Sequence, residues 1–507
     1  MKMTEMDAAR LVRGSAYLAT QSVVTTIIGA VALAFIARIL TPVEMGVAVA
    51  LTLTVGMAQV LSDLGFSGGL TKYVAEYRGK GVDYTFVSFG AVLMKVLVAG
   101  SATALCVLTA PWLSGSLLKS GEYAFLFQLL SVYLLTSCLS TTVNHLLLGV
   151  NKIREMAILN VILAFIGKMF AVGFLLCGFG LVGLVIGWIL GGLAYIILGA
   201  LIIVRNKYVR THPIKDVIPY LRMLARFSWP LFFTNIVVFL YSWFDRALLL
   251  AYLPLSDVAV YGVALQAFGV LSFIPVALST TLFPYYSEQH GKDEQQKIVA
   301  GVHGSSRYIA LLYTPLVLGL MATANPAITL FAGSTYASGD AILAILCLFG
   351  GLSGLAASLG GLLLVYNMTP TVLLINIASV MGSMVLLPVF LPSFGVMGMA
   401  IIKGAAMMIS LVLTVIVLRK RIPIKFDKEA IWKSWVAAIV MFVTVWFIER
   451  IHFSSYLLPM YIVVGGVTYA LASRLLGTVN ENDIKLIQNL LGKRVTFITN
   501  ILEKVLV

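Results

Sequence analysis

Apolar residues along this chain gather into fourteen stretches of roughly twenty, and polar residues are confined almost entirely to the connections between them. About 20 apolar residues of α-helix cross roughly 30 Å of hydrocarbon, so each stretch predicts a transmembrane helix. The predicted spans are 16–38, 45–64, 86–110, 123–148, 155–177, 181–204, 229–252, 258–284, 307–332, 341–366, 371–391, 395–418, 431–449 and 456–473. In lipid, backbone polar groups must be satisfied within the segment. The predicted fold class is therefore an all-α polytopic membrane protein with about fourteen transmembrane helices.

Composition agrees: 60% hydrophobic residues and only 11% charged, over 507 residues, lie outside the range of a soluble chain. The longest hydrophilic connections, 205–228 and 286–306, are too short to fold alone, and no signal peptide is expected before the first span. The net charge of +14 acquires its meaning from placement. With the N-terminus inside, 28 of the 35 basic residues fall on cytoplasmic segments, and outer connections hold only Arg38, Lys119 and Arg450. The positive-inside rule then places both termini in the cytoplasm of a cell (plasma or inner) membrane protein. Basic residues scattered over short loops speak against nucleic acid as a partner. Cys106, Cys138, Cys177 and Cys347 lie inside predicted spans without ligand-like spacing, so they read as small packing residues and no metal or other cofactor is expected.

An internal repeat organises the spans. LTKYVAEYRGK at 70–80 and LFPYYSEQHGK at 282–292 share L-x-x-Y-x-x-E-x-x-G-K, 212 positions apart, each after an even-numbered span. Upstream, ILTPVEMGVAVAL (39–51) resembles YLPLSDVAVYGVAL (252–265), with a four-residue insertion between the registers. Six spans per repeat is an even number. The repeats therefore run parallel, as two six-helix bundles related by a pseudo-twofold axis along the membrane normal, with two extra C-terminal helices. The expected division is 1–204 for the first bundle, 205–228 for a cytoplasmic basic linker and 229–418 for the second bundle. Helices 13 and 14 then occupy 419–476, and a cytoplasmic amphipathic tail 477–507. Two such bundles enclose a cleft suited to alternating access. No G-x-x-x-x-G-K-[ST] motif is present to power a primary pump, and no selectivity-filter motif marks a channel.

Ionisable residues at mid-bilayer cost about 2.5–3.5 kcal/mol on insertion scales and mark cavities or ion paths. Four cations qualify, Lys95, Lys168, Arg246 and Lys403, against the acids Asp63 and Asp245. At 1.5 Å per residue, Lys95 lies about 14 Å and Lys168 about 20 Å from the inner ends of their spans. Snorkelling to an interface is the competing account of each residue taken singly. Asn235, Ser242 and Arg246 share one face of the seventh span, while Asp245 either steadies Arg246 as an ion pair or binds a coupling ion, and Asp63 is a candidate for the same two roles, ion pair or ion coupling. A cationic cavity suits diphosphate, which Arg meets with bidentate hydrogen bonds and Lys with a point charge. Gln21, Gln59 and Gln266 are placed to contact sugar hydroxyls or to join helices. Pro275 and Pro315 predict kinks in the eighth and ninth spans. Outside the bilayer, residues 4–13, with Thr4 and Asp7 in capping-box-like spacing, and residues 482–506 read as amphipathic helices.

The residues ARILTPVEMG (37–46), SDLGFSGGLTKYVAEYRGK (62–80) and FDRALLLAYL (244–253), with the 6 + 6 + 2 plan, resemble the polysaccharide and oligosaccharide flippases of the multidrug/oligosaccharidyl-lipid/polysaccharide exporter superfamily. The resemblance covers the whole chain. It implies a transporter, not an enzyme, that moves a polyprenyl-diphosphate-linked oligosaccharide from the cytoplasmic to the outer leaflet for surface polysaccharide or glycan biosynthesis. It also implies a cationic central cavity, which Lys95, Lys168, Arg246 and Lys403 would supply. Membrane lipids and glycan polymerisation machinery are the other partners expected. The coupling ion, proton or sodium, stays open. A multidrug/cation antiporter of the same superfamily, a peptidoglycan-precursor flippase and a non-transporting scaffold are the competing readings.

Overall fold

The computed structural model describes residues 5–479, with side chains described from residue 17 onward. Thr4, the side chain of Asp7 and the predicted tail helix at 482–506 lie outside the described residues. Contacts divide the chain into two compact units, Met1–Gly262 and Val263–Val507. The first holds α1 (Glu5–Ile39), α2 (Pro42–Asp63), α3 (Phe66–Gly79), α4 (Thr85–Leu117), α5 (Ala124–Gly149), α6 (Ile153–Leu176), α7 (Gly180–Arg205) and α8 (Ile214–Tyr252). The boundary falls in α9 (Leu255–Leu271). The second unit continues with α10 (Phe273–Gly291), α11 (Gln295–Ala322), α12 (Ala324–Ala332), α13 (Asp340–Ser353), α14 (Leu362–Val365), α15 (Thr369–Met384), α16 (Leu387–Arg419), α17 (Lys428–Ile451) and α18 (Leu458–Leu475).

Among the described residues, twelve helical segments are long and apolar enough to cross a membrane, and thirteen if α9 and α10 form one bent span. The protein is thus an all-α, multi-pass membrane protein, and the expected fourteen spans are corrected at two places. The eighth stretch breaks at Ser272 with a bend of 45°. Pro275 explains it, because its ring crowds the Leu271 carbonyl and it has no N–H to offer that acceptor. The eleventh stretch ends early: α15 has 16 residues, about 24 Å of helix, short of the bilayer core. Its predicted remainder joins α16, which carries Pro388 and Pro392 and bends at Gly395, where φ is 53°.

Pro315 produces no such break, and α11 runs through it. The Tyr469 hydroxyl donates to the Leu311 carbonyl at 3.0 Å, replacing the bond that position 315 would otherwise have made. The segment 205–228 is also more ordered than a linker. Arg205 closes α7 and α8 starts at Ile214, so only residues 206–213 connect them. Likewise, α1 runs unbroken from Glu5, making 5–13 continuous with the first span.

Small residues bring helices together where lipid gives no hydrophobic drive between them. A Cβ on Gly187 of α7 would lie 2.3 Å from the Ala171 nitrogen of α6, and one on Gly191 would lie 2.8 Å from the Gly167 Cα. Leu70, Val74, Val87, Leu146 and Leu224 form a buried core joining α3, α4, α5 and α8. In the second unit, Tyr286, Ile298, Val302, Leu362 and Leu418 pack together. Leu108, Val204 and Leu475 are exposed, as a lipid-facing surface requires.

Candidate functional site

The site in the first unit starts from the corner between α2 and α3. Leu64 and Gly65 both take left-handed backbone, with φ of 48° and 75°. A Cβ at Gly65 would sit 2.4 Å from the Ser228 carbonyl oxygen of α8, so only glycine lets the corner press against that helix. The turn carries Asp63, at the end of α2, over Ser67, at the start of α3, and the Ser67 hydroxyl donates to Asp63 Oδ1. Lys95 reaches the same oxygen from α4 at 2.5 Å, with side chains only 3% and 14% exposed for Lys95 and Asp63. One turn further along α3, the Thr71 hydroxyl lies 3.0 Å from His145 Nδ1 and 3.1 Å from the His145 carbonyl.

This pair borders a cavity of ≈ 530 Å³ within the first unit. Gln59, Asp63, Lys95, Asn235 and Ser242, all singled out from the sequence, line it together. Arg246 does not line it directly. Its guanidinium stacks over Trp243, with Cζ 3.5 Å from the ring centroid, and donates to the Ser242 carbonyl at 2.7 Å. Both of those residues do line the cavity. Asp245 is fully buried, accepts the Tyr261 hydroxyl at 2.6 Å and lies 3.9 Å from Arg246 Nε. Its carboxylate therefore ties α8 to α9 while orienting Arg246.

The other sequence candidates lie elsewhere. Gln21 of α1 accepts a hydrogen bond from Asn160 of α6 at 3.4 Å. Lys168 is half-buried on α6, with no hydrogen bond or ion pair among the described residues. In the second unit, Gln266 is exposed on α9 and Lys403 is buried on α16. Ser67, Thr141, His145 and Trp243 also line the cavity, and the sequence reading passed over them. A usable signal existed in Asp63, Ser67 and Thr71, polar positions at successive spacings of four, and in His145, a histidine within an apolar span.

A family model described as "Polysaccharide biosynthesis protein" matches residues 11–290. The chain is 24% identical over 412 residues, 80% of its own length and 83% of the relative's, to a "Probable low-salt glycan biosynthesis flippase Agl15" of Haloferax volcanii. It is 28% identical over 322 residues to the "Succinoglycan biosynthesis transport protein ExoT" of Rhizobium meliloti, covering 62% of this chain and 61% of that one. Among solved structures, the fold is similar to a lipid II flippase MurJ, with a TM-score of 0.72 at 16% identity over 90% of this chain and 97% of the other. It is also similar to a multidrug resistance MATE family transporter, with a TM-score of 0.66 at 14% identity over 79% and 94%.

Proposed function

The chain belongs to the polysaccharide biosynthesis protein family, and from that premise we propose that it flips a polyprenyl-diphosphate-linked oligosaccharide from the cytoplasmic to the outer leaflet, with both termini cytoplasmic. At the coarser level it is a multi-pass membrane transporter of the flippase superfamily, and that family identity is of a transporter rather than an enzyme. The observation that carries the finer reading is the Lys95–Asp63 pair bordering a cavity whose walls set the amides of Gln59 and Asn235 and the hydroxyls of Ser67, Thr141 and Ser242 among apolar groups such as Leu231, Val238, Phe239 and Trp243.

The pair is a switchable charge. Asp63 neutralises and holds Lys95, and the Ser67 hydroxyl donates to the same carboxylate oxygen. A diphosphate entering the cavity competes for the ammonium with a higher charge density, and a charge-assisted hydrogen bond replaces the internal one. Gln59 and Asn235 supply amides for sugar hydroxyls, and Trp243 supplies a flat apolar wall steadied by Arg246. Releasing Asp63 frees a carboxylate for a proton or sodium ion, which couples cargo and ion through one shared partner. Alternation follows only if cargo binds one conformation more tightly than the other.

The same carboxylate favours a second reading, cation-coupled export of a cationic small molecule, in which Asp63 binds the cargo and Lys95 merely occupies the site between cycles. The two readings separate on which partner matters. Proteoliposomes holding a fluorescent polyprenyl-diphosphate glycan, probed with a lectin confined to the outer leaflet, should show Lys95→Ala losing at least ten-fold in translocation rate. Asp63→Asn should lose ion dependence before it loses flux. Wild-type protein that translocates none of several glycans under any ion gradient, while exporting organic cations through Asp63, would overturn the glycan reading.

A further inference from the structure

The second unit contains a cavity of ≈ 420 Å³ that the transport reading leaves unused. It lies among α11, α12, α13 and α17, near the C-terminal end of α17. Glu449 on its wall is 22 residues along the helix from the Asp427 cap, about 33 Å. The cavity is thus at the bundle end opposite the Arg307–Asp427 contact, where the charge pattern puts the outer face.

Its walls mix two chemistries. Asp340 opens α13 and is held by the Asn325 amide, which donates to Oδ2 at 2.9 Å. Glu449 is half-buried and has no hydrogen bond or ion pair among the described residues, so its carboxylate is available to a ligand. Trp446 and Phe453, both exposed, line the same cavity, and the Arg450 guanidinium lies 4.9 Å from the Trp446 ring centroid. Two carboxylates and an amide beside flat apolar rings match a pyranose. Its hydroxyls donate to carboxylate oxygens, and its C–H face packs on an aromatic surface. The volume falls within the ~300–1,000 Å³ of small-ligand pockets. Neither an anion nor a metal suits the walls so well. The carboxylates repel an anion, and no group of three or more His, Cys, Asp or Glu residues able to hold a metal ion occurs among the described residues.

We propose that this cavity is a carbohydrate subsite that takes one or two neutral or amino sugar units, an inference that rests on the transport reading for the identity of its cargo. Two carboxylates against one guanidinium leave the walls net negative, which disfavours uronic acids. A sugar gripped here is held at the end of the bundle that the charge pattern puts outside, so the subsite would favour forward release of the glycan.

The test uses the full chain in lipid nanodiscs and saturation-transfer NMR with the methyl glycosides of glucose, galactose, N-acetylglucosamine, glucosamine and glucuronic acid. Neutral and amino sugars should receive saturation from wild type. That signal should fall at least five-fold in Glu449→Gln and Trp446→Ala, and survive in Trp446→Phe. Should Trp446→Ala melt early, the nearly isosteric Glu449→Gln carries the test alone. Saturation absent across the panel, unchanged in Glu449→Gln, or strongest for the glucuronide would overturn the proposal. Translocation by the same wild-type preparation keeps the two readings apart. Flipping without sugar binding removes the subsite and leaves the transporter; sugar binding lost in Glu449→Gln without flipping leaves the subsite and removes the transporter.

Discussion

The two copies of L-x-x-Y-x-x-E-x-x-G-K end in the same local device and differ in what lies just before it. In each copy the helix closes on an exposed Glu–Lys pair four residues apart, Glu76 with Lys80 and Glu288 with Lys292. At the register that aligns the motifs, Asp63, Ser67 and Thr71 of the first copy correspond to Pro275, Ser279 and Phe283 of the second. The first copy thus gathers a carboxylate and two hydroxyls, recruits Lys95 and His145, and borders a cavity. The second replaces the acid with a proline that bends the span by 45°. It also turns Tyr286 inward to donate at 2.7 Å to the Ser358 carbonyl, at an irregular turn of the tenth span. The same register position serves charge in one unit and backbone shape in the other.

Removing the charge from the first copy is the strongest way to break that contrast. Lys95→Met leaves the Asp63 carboxylate in a low-dielectric site without its cation, a loss of about 3–5 kcal/mol when one partner of a buried pair is deleted. Replacing both, as Asp63→Leu with Lys95→Met, removes the desolvation penalty with the attraction and should restore most of the stability while abolishing transport. Thermal unfolding in detergent, run beside the flipping assay, reads both quantities. A double variant as unstable as the single one would mean that the pair is an architectural brace and not a switch.

The proline-shaped second unit is probed at a smaller scale through Tyr469. Its hydroxyl serves the Leu311 carbonyl that Pro315 cannot, so Tyr469→Phe leaves a buried acceptor unpaired, at about 1–3 kcal/mol. Pro315→Ala supplies the missing N–H. In that background Tyr469→Phe should cost markedly less, and the difference between the two costs is the coupling energy. Equal costs in both backgrounds would show that the hydroxyl acts through packing alone.

Much of this was legible in the chain because membrane physics leaves few choices. Twenty apolar residues with flanking charge specify a span, and most helix ends fall within a few residues of the expected ones, Pro42–Asp63 against 45–64 for example. The errors arose where length and composition say nothing about backbone breaks. Pro275 and Pro315 look alike in sequence, yet one breaks its helix and the other is rescued by a tyrosine 154 residues away, which no local pattern contains. The site was legible as a set of residue types but not as a set of partners. Lys95 is a sequence candidate for cargo and Asp63 for a coupling ion or an ion pair with no partner specified. Their shared contact depends on the left-handed corner at Leu64–Gly65, whose only local mark is a glycine after a span.

The smallest effect belongs to the feature the two copies share, and it is the control for the rest. Both Glu–Lys pairs stand in solvent, with side-chain exposures of 60% and 37% for Lys80 and Glu76, and of 55% and 46% for Lys292 and Glu288. Exposed pairs are screened and contribute little, so Glu76→Gln and Glu288→Gln should each leave the melting temperature and the flipping rate within error of wild type. The hydrogen bond from Lys80 and its charge hold the Glu76 carboxyl below its ordinary value of 4.5. A carboxyl depressed in the folded state stabilises above its unfolded pKa and loses that contribution as pH falls through the folded one. Any difference between Glu76→Gln and wild type should therefore be present at neutral pH, small as it is, and vanish on acidification below about 4.5. If Glu76→Gln instead impaired flipping at neutral pH while Glu288→Gln did not, the asymmetry between the units would extend beyond the cavity into the shared motif itself, and the contrast drawn at Asp63 and Pro275 would have to be moved outward to include it.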